Sequence, residues 1–171
     1  MRLYAQRMDT GVVDFREPVR VEMVNNSTLL VTNETLVSAH DVQTITRDFL
    51  GPKVRKIIFC PIDLEDIDVI RALTMLFLAS RNIKEVEFYV ACGAAGHRGP
   101  PALTRLLKTM DSMFISEVCF HLMDATAEVA ANYMEATTRG RTAGRPSEES
   151  AMSICISNQG DDKWYTSRQK P

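Results

Sequence analysis

A glycine-containing loop, "CGAAGHRGPP", holds the residues of this 171-residue chain best suited to binding a small ligand. Gly93 and Gly96 permit close approach to the backbone, and His97 and Arg98 supply hydrogen-bond donors. Because a helix start follows the loop, these residues predict an anion or phosphate site. The spacing matches neither the GxGxxG nor the Walker pattern, so a plain connecting loop explains it equally well.

Four acids, Asp63, Glu65, Asp66 and Asp124, follow predicted strands and could hold Mg²⁺, which prefers oxygen ligands. The same acids also suit helix starts, where carboxylates accept backbone N–H groups and oppose the helix dipole. We favour the second interpretation, and we expect no metal and no other cofactor.

Thiols and imidazoles are too scattered to predict a metal site or a catalytic site. Cys92 near His97 could form a thiolate nucleophile, but no third group orients the pair. Without CxxC or HxxxH spacing we expect free thiols, largely buried, in a reducing cytoplasmic compartment, and we assign no catalytic residue. The residues concerned are Cys60, Cys92, Cys119, Cys155, His40, His97 and His121.

Three similar stretches must position these residues: "VRKIIFC" at 54–60, "IKEVEFYV" at 83–90 and "ISEVCFHL" at 115–122. Each reads as a strand and is followed by apolar residues at helical spacing. The separations are 29 residues from Phe59 to Phe88 and 32 from Phe88 to Phe120. Such a period suits consecutive βα units of one parallel sheet, and equally suits leucine-rich-repeat-like units. We favour the sheet, because the asparagine and leucine ladder of leucine-rich repeats is missing.

The predicted architecture is one compact α/β domain with the order β-β-α-β-α-β-α-β-α. A hairpin around "NNS" precedes a first helix, which Ser38 caps with Asp41 three positions on and which Gly51 ends. We assign 1–18 to an N-terminal extension, 19–136 to the domain, and 137–171 to a flexible or partner-binding tail, because "TTRGRTAGRPSEES" cannot build a core.

Composition excludes several function classes. The chain is 45% hydrophobic and 25% charged, as globular proteins are, and its net charge of −2 predicts neither nucleic acid nor anionic lipid as the partner. Residues 1–136 hold 14 Lys+Arg against 18 Asp+Glu, whereas 137–171 hold 6 against 4. No apolar run is long enough to span a membrane.

The segment "VRKIIFCPIDLEDIDVIRALTMLFL", together with the element order over about 19–136, resembles the STAS domain of the anti-sigma-factor-antagonist family. Asp68 stands at the family's Asp position before the helix, but Val69, Ile70 and Arg71 follow where switching members carry a phosphorylatable serine. The resemblance implies a non-catalytic domain that binds another protein, without the phospho-switch.

Beyond the linker, "AMSICIS" is prone to form a strand, and Trp164 stands beside Tyr165. An exposed Trp–Tyr pair would anchor a partner, and Ile154 with Ile156 could add a strand in cis or to another chain. Equally, the tail could fold back over the domain.

The leading hypothesis is therefore a regulatory or interaction domain that binds another protein and can form a homo-oligomer, using the second helix's apolar surface and the tail. One alternative is a nucleotide- or phosphate-binding enzyme that uses the glycine loop and the acids at the strand ends. Another is a leucine-rich-repeat-like scaffold.

Overall fold

The computed structural model describes residues 19–92, 101–141, 152–158 and 161–165, which form eleven elements. The strands form where apolar and polar residues alternate, and the helices form where apolar residues recur about every 3.6 positions. In chain order they are β1 (Arg20–Asn25), β2 (Thr28–Val37), α1 (Ala39–Asp48), β3 (Lys56–Ile62), α2 (Ile67–Ala79), β4 (Glu85–Ala91), α3 (Pro101–Ser112), β5 (Glu117–Met123), α4 (Ala127–Arg141), β6 (Ser153–Asn158) and β7 (Asp161–Tyr165).

All seven strands form one sheet, and they stand in it in chain order. Strands β2 to β6 are parallel, and the edge strands β1 and β7 are antiparallel to their neighbours. The predicted α/β class with a mostly parallel sheet is confirmed. Right-handed crossovers between strands in chain order return every helix to the same face, and consecutive helices accordingly contact one another.

The similarity of the three repeated stretches is explained by the core. Phe59, Phe88 and Phe120 occupy matching registers on β3, β4 and β5, and all three are fully buried. Their rings stack with centroids 5.6 Å and 5.5 Å apart. One phenylalanine in each βα unit therefore builds a continuous ladder beneath the helices.

Polar side chains begin the first two helices as their sequences predict. Ser38 caps α1: its hydroxyl accepts from the Asp41 N–H, and the Asp41 carboxylate accepts from the Ser38 N–H at 2.9 Å. Asp66 caps α2 by accepting from the N–H groups of Asp68 and Val69. These bonds satisfy donors that a helix start leaves unpaired.

The predicted limit of the domain at residue 136 differs from the structure. Helix α4 continues to Arg141, and β6 pairs in parallel with β5. Ile154 and Ile156 are 1% and 4% exposed within the core, so the strand is added in cis, and these two residues do not form a partner-binding surface. The physical reason is that β5 would otherwise expose an unpaired hydrophobic edge.

None of the helices among the described residues has the length and hydrophobicity required to cross a membrane.

Candidate functional site

The structure describes only some of the residues that the sequence predicts to bind a ligand or a partner. Gly93, Gly96, His97 and Arg98 lie outside the described residues. The backbone of Trp164 pairs with that of Cys155 in the sheet, and Tyr165 pairs with Ile154, but the side chains of both aromatic residues lie outside the description. Their role as partner anchors therefore stays a prediction.

The ends of β3, β4 and β5 lie at one edge of the sheet. Asp63, Cys92 and Asp124 directly follow the adjacent strands β3, β4 and β5, and the Cys92 N–H donates to the Met123 carbonyl at 3.3 Å. Asp63 accepts from the Glu65 N–H at 2.8 Å. Within the described part of the chain, no group of three or more potential ligands could hold a metal ion.

The thiols lack the environment of a nucleophile. Burial raises the pKa of Cys92, and the charges of Asp63 and Asp124 raise it further. Burial also raises the pKa of Cys60. Since the thiolate is the reactive form, Cys92 stays a protonated, weakly nucleophilic thiol near neutral pH.

The face of the sheet opposite the helices carries charged and aromatic side chains. Its side chains alternate along each strand with those of the core, and among the described elements no helix packs on it. We call it the open face. Its central residues are Lys56, Ile58 and Cys60 on β3, Glu85, Glu87 and Tyr89 on β4, and Glu117, Cys119 and His121 on β5.

One ammonium group organises the centre of the open face. Lys56 Nζ lies 2.5 Å from Glu87 Oε1 and 3.7 Å from Glu85 Oε2. The hydrogen bond to Glu87 raises the pKa of Lys56 against the opposing effect of burial, and the charges of Glu85 and Glu117 add to the rise. Lys56 therefore stays charged at neutral pH while sharing its charge with its acidic neighbours.

An aromatic platform lies beside this network. The Tyr89 ring stacks on the His121 imidazole with centroids 4.3 Å apart, and His121 Nε2 lies 3.8 Å from Glu87 Oε2. Burial, followed by the charge of Glu87, raises the pKa of Tyr89, so its phenol is neutral. Both residues are half-buried, so ring surface stays accessible to a ligand.

A second surface, on the helix side, is apolar. Ile67, Met75 and Leu78 of α2 are 54%, 64% and 50% exposed. Their separations of eight and three residues place them on one side of the helix. We call these three residues the α2 stripe.

Sequence reasoning missed the open face although its signal is present. Residues 56, 58 and 60 alternate with the core positions of β3, as do their equivalents on β4 and β5. Most of these nine residues are charged or aromatic. Parallel strands are usually buried on both sides, so this alternation does not by itself indicate an uncovered face. The chain-order topology, which leaves one side without helices, was not visible in the pattern.

Comparison with known proteins finds no family model, no curated protein and no solved structure that matches this chain. The resemblance to the STAS domain stays a prediction.

Proposed function

We propose that this protein is a non-catalytic interaction domain whose open face binds a lysine- or arginine-bearing segment of another protein. The observation that carries the proposal is a broad strand surface, free of helices among the described elements, with carboxylates and an aromatic platform at its centre. Parallel sheets usually bury both faces, so such a surface needs an explanation.

The charge of the open face supports a basic partner. Strands β3 to β5, at the centre of this face, contribute three carboxylates, Glu85, Glu87 and Glu117, and one ammonium, Lys56. One ammonium group offsets only part of the charge of three carboxylates, so the centre of the face keeps an excess of acidic side chains for a partner. The Tyr89–His121 stack adds a surface on which an arginine guanidinium can lie.

The dimensions of the face indicate the kind of partner. Across the sheet, five parallel strands spaced about 4.8 Å apart give a width of about 19 Å. Along the strands, seven residues with a rise of about 3.3 Å per residue give a length of about 23 Å. This footprint accommodates a peptide or one helix of a partner. It is smaller than a typical permanent interface, so we expect moderate affinity.

The experiment selects partners without assuming their identity. A peptide library displayed on phage is panned against the full chain, and the selected peptides are measured by fluorescence anisotropy. We expect enrichment of lysine and arginine. The double variant Glu85→Gln/Glu117→Gln should bind about fivefold more weakly, since each removed charge costs a few tenths to one kcal/mol.

The matched control removes two carboxylates elsewhere. Asp111→Asn/Glu128→Gln changes the net charge equally but lies on α3 and α4. If both double variants weaken binding equally, or if the selected peptides carry no excess of basic residues, the proposal is wrong.

Self-association is a second proposal, and the α2 stripe is the observation that favours it. The open face is unsuited to contact with itself because two copies would oppose like charges. The stripe carries three large apolar side chains without that penalty. In analytical ultracentrifugation, the apparent mass of the wild-type chain should rise with concentration. Met75→Lys should reduce this rise, whereas Thr109→Lys on α3 should not. A wild-type chain that is monomeric at every concentration would refute this proposal.

A further inference from the structure

The edge of the sheet at which β3 and β4 begin carries four basic residues. Lys53 and Arg55 lie in the connection from α1 to β3, and Arg81 and Lys84 lie in the connection from α2 to β4. Three of them are exposed, and Lys84 is half-buried. Among the ion pairs of the described residues, none joins these four side chains to a carboxylate. We call the four residues the basic rim.

Hydrogen bonds hold the charges of the basic rim close together. The Lys84 N–H donates to the Arg55 carbonyl at 2.7 Å, which places these two residues side by side. The Arg55 guanidinium donates to the Asn82 carbonyl at 3.4 Å, next to Arg81 in the chain. Like charges held this close repel one another, so an opposing acidic surface would stabilise the arrangement.

The acidic end of the open face adjoins the basic rim. Arg55 and Lys84 directly precede Lys56 and Glu85, and the Glu117 N–H donates to the Lys84 carbonyl at 3.1 Å. Successive residues of an extended chain point to opposite faces, so the basic residue before each strand points away from the open face. This edge of the sheet therefore has a basic side next to the helices and an acidic side next to the open face.

A two-fold rotation makes this pattern complementary to itself. When two copies meet at this edge about an axis that runs across the strands, the helix side of each copy lies against the open-face side of the other. The basic rim of each copy then opposes Glu85 and Glu117 of the other copy. Because the same contact occurs twice, the assembly closes as a dimer.

An exposed aromatic residue at the same edge supports an interface there. Phe114, in the connection from α3 to β5, is 58% exposed. Its carbonyl accepts a hydrogen bond from the Lys84 ammonium at 3.3 Å, so Phe114 lies beside the basic rim. Aromatic side chains are enriched in protein interfaces, and a contact at this edge would bury the ring.

We propose that two copies of this chain associate through this edge, with the basic rim of each copy on Glu85 and Glu117 of the other. The inference rests on the proposed function, because it names a second copy as the source of the basic segment that the open face binds. Only the acidic end of the open face is used, so two open faces do not oppose each other. Exposed ion pairs are individually weak, and we expect a dimer that dissociates on dilution.

Sedimentation equilibrium of the full chain tests the contact. In about 0.1 M sodium chloride, the apparent mass should rise toward that of a dimer as the protein concentration increases. In about 1 M sodium chloride the rise should be severalfold smaller, because the Debye length falls from about 10 Å to about 3 Å. An apolar contact through the α2 stripe would not weaken with salt. A chain that stays monomeric, or an association that salt does not weaken, would overturn the proposal.

Charge reversal identifies the two surfaces. Arg55→Glu/Arg81→Glu should be monomeric, and Glu85→Lys/Glu117→Lys should be monomeric as well, because each variant opposes like charges in its own dimer. An equimolar mixture of the two should form a heterodimer, since opposite charges then meet at both contacts. A mixture that remains monomeric, although both variants unfold as cooperatively as the wild type, would contradict the arrangement.

A milder variant keeps the test valid if either reversed chain fails to fold. Arg55→Gln/Arg81→Gln removes two charges without adding any, and it should weaken the dimer at least about threefold. The matched control Arg71→Gln/Arg105→Gln makes the same change at exposed positions of α2 and α3, and it should dimerise as the wild type does. Equal weakening by the two variants would show that overall charge governs the association, and the proposal would be wrong.

Peptide binding distinguishes failure of this inference from failure of the proposed function. Arg55→Gln/Arg81→Gln leaves the open face unchanged, so it should still bind the basic peptides selected on the wild-type chain. If these peptides bind but the wild type never dimerises, only the pairing of two copies is refuted. If the peptides do not bind either, the proposed function is refuted as well.

Discussion

Lys56 on β3 bridges two carboxylates of β4, with Nζ 2.5 Å from Oε1 of Glu87 and 3.7 Å from Oε2 of Glu85. The parallel register that pairs Lys56 with Glu85 produces this arrangement. The positive charge of Lys56 thereby reduces the repulsion between neighbouring carboxylates on a half-buried surface.

Replacing this ammonium should destabilise the fold. Lys56→Met leaves Glu87, whose side chain is 23% exposed, beside Glu85 without its cation. We expect a loss of about 1–2 kcal/mol in the free energy of unfolding, measured by urea denaturation. Glu87→Gln/Lys56→Met should recover part of the loss, and a double variant no more stable than Lys56→Met would contradict the coupling.

The same pair predicts a pH dependence. The pKa of Lys56 is raised above its ordinary value of about 10.4, so the folded chain holds this proton more tightly than the unfolded chain does. The stabilisation is present below about pH 10 and is lost as the pH rises through the folded-state pKa. Urea denaturation across this range should show a smaller decline in Lys56→Met than in the wild type.

Phe114 is strained in a way that substitution can relieve. Its φ is 61°, and the bonds from Phe114 N–H to Asp111 and from Ile115 N–H to Met110 form the helix end at which glycine is preferred. Phe114→Gly should therefore be about 1 kcal/mol more stable than Phe114→Ala in urea denaturation, although glycine usually destabilises. Equal stability of the two variants would show that the backbone is not strained there.

Phe88 should be more sensitive to substitution than Phe59, its neighbour in the phenylalanine ladder. It stacks on both Phe59 and Phe120, whereas Phe59 stacks on Phe88 alone within the described ladder. Phe88→Leu should cost about 1 kcal/mol more than Phe59→Leu, because a second aromatic contact is lost. Chemical denaturation measures both costs, and the reverse order would contradict the ladder's role.

Ile154 tests whether β6 belongs to the core. Ile154→Ala should cost about 2–4 kcal/mol, because the side chain is 1% exposed and a cavity would remain. Ser153→Ala, at the half-buried neighbouring position, should cost less than about 1 kcal/mol. If both substitutions are equally mild in urea denaturation, β6 does not stabilise the domain.

Local patterns in the chain determined much of the fold. The alternation around Phe59, Phe88 and Phe120 predicted three strands, and Ser38 with Asp41 predicted the start of α1, because strand alternation and helix capping depend on residues close in sequence. The convergence of Asp63, Cys92 and Asp124 also followed, since consecutive parallel strands end at one edge of a sheet.

Only the tertiary structure decided which surfaces are covered. Whether Ile154 belongs to a tail or to the core depends on the unpaired edge of β5, more than 30 residues earlier in the chain. Whether Lys56, Glu87 and Tyr89 share a helix-free surface depends on the order of strands in the sheet. Strand order is a long-range property: a residue's own periodicity reports which side of the strand it occupies, but not what packs there.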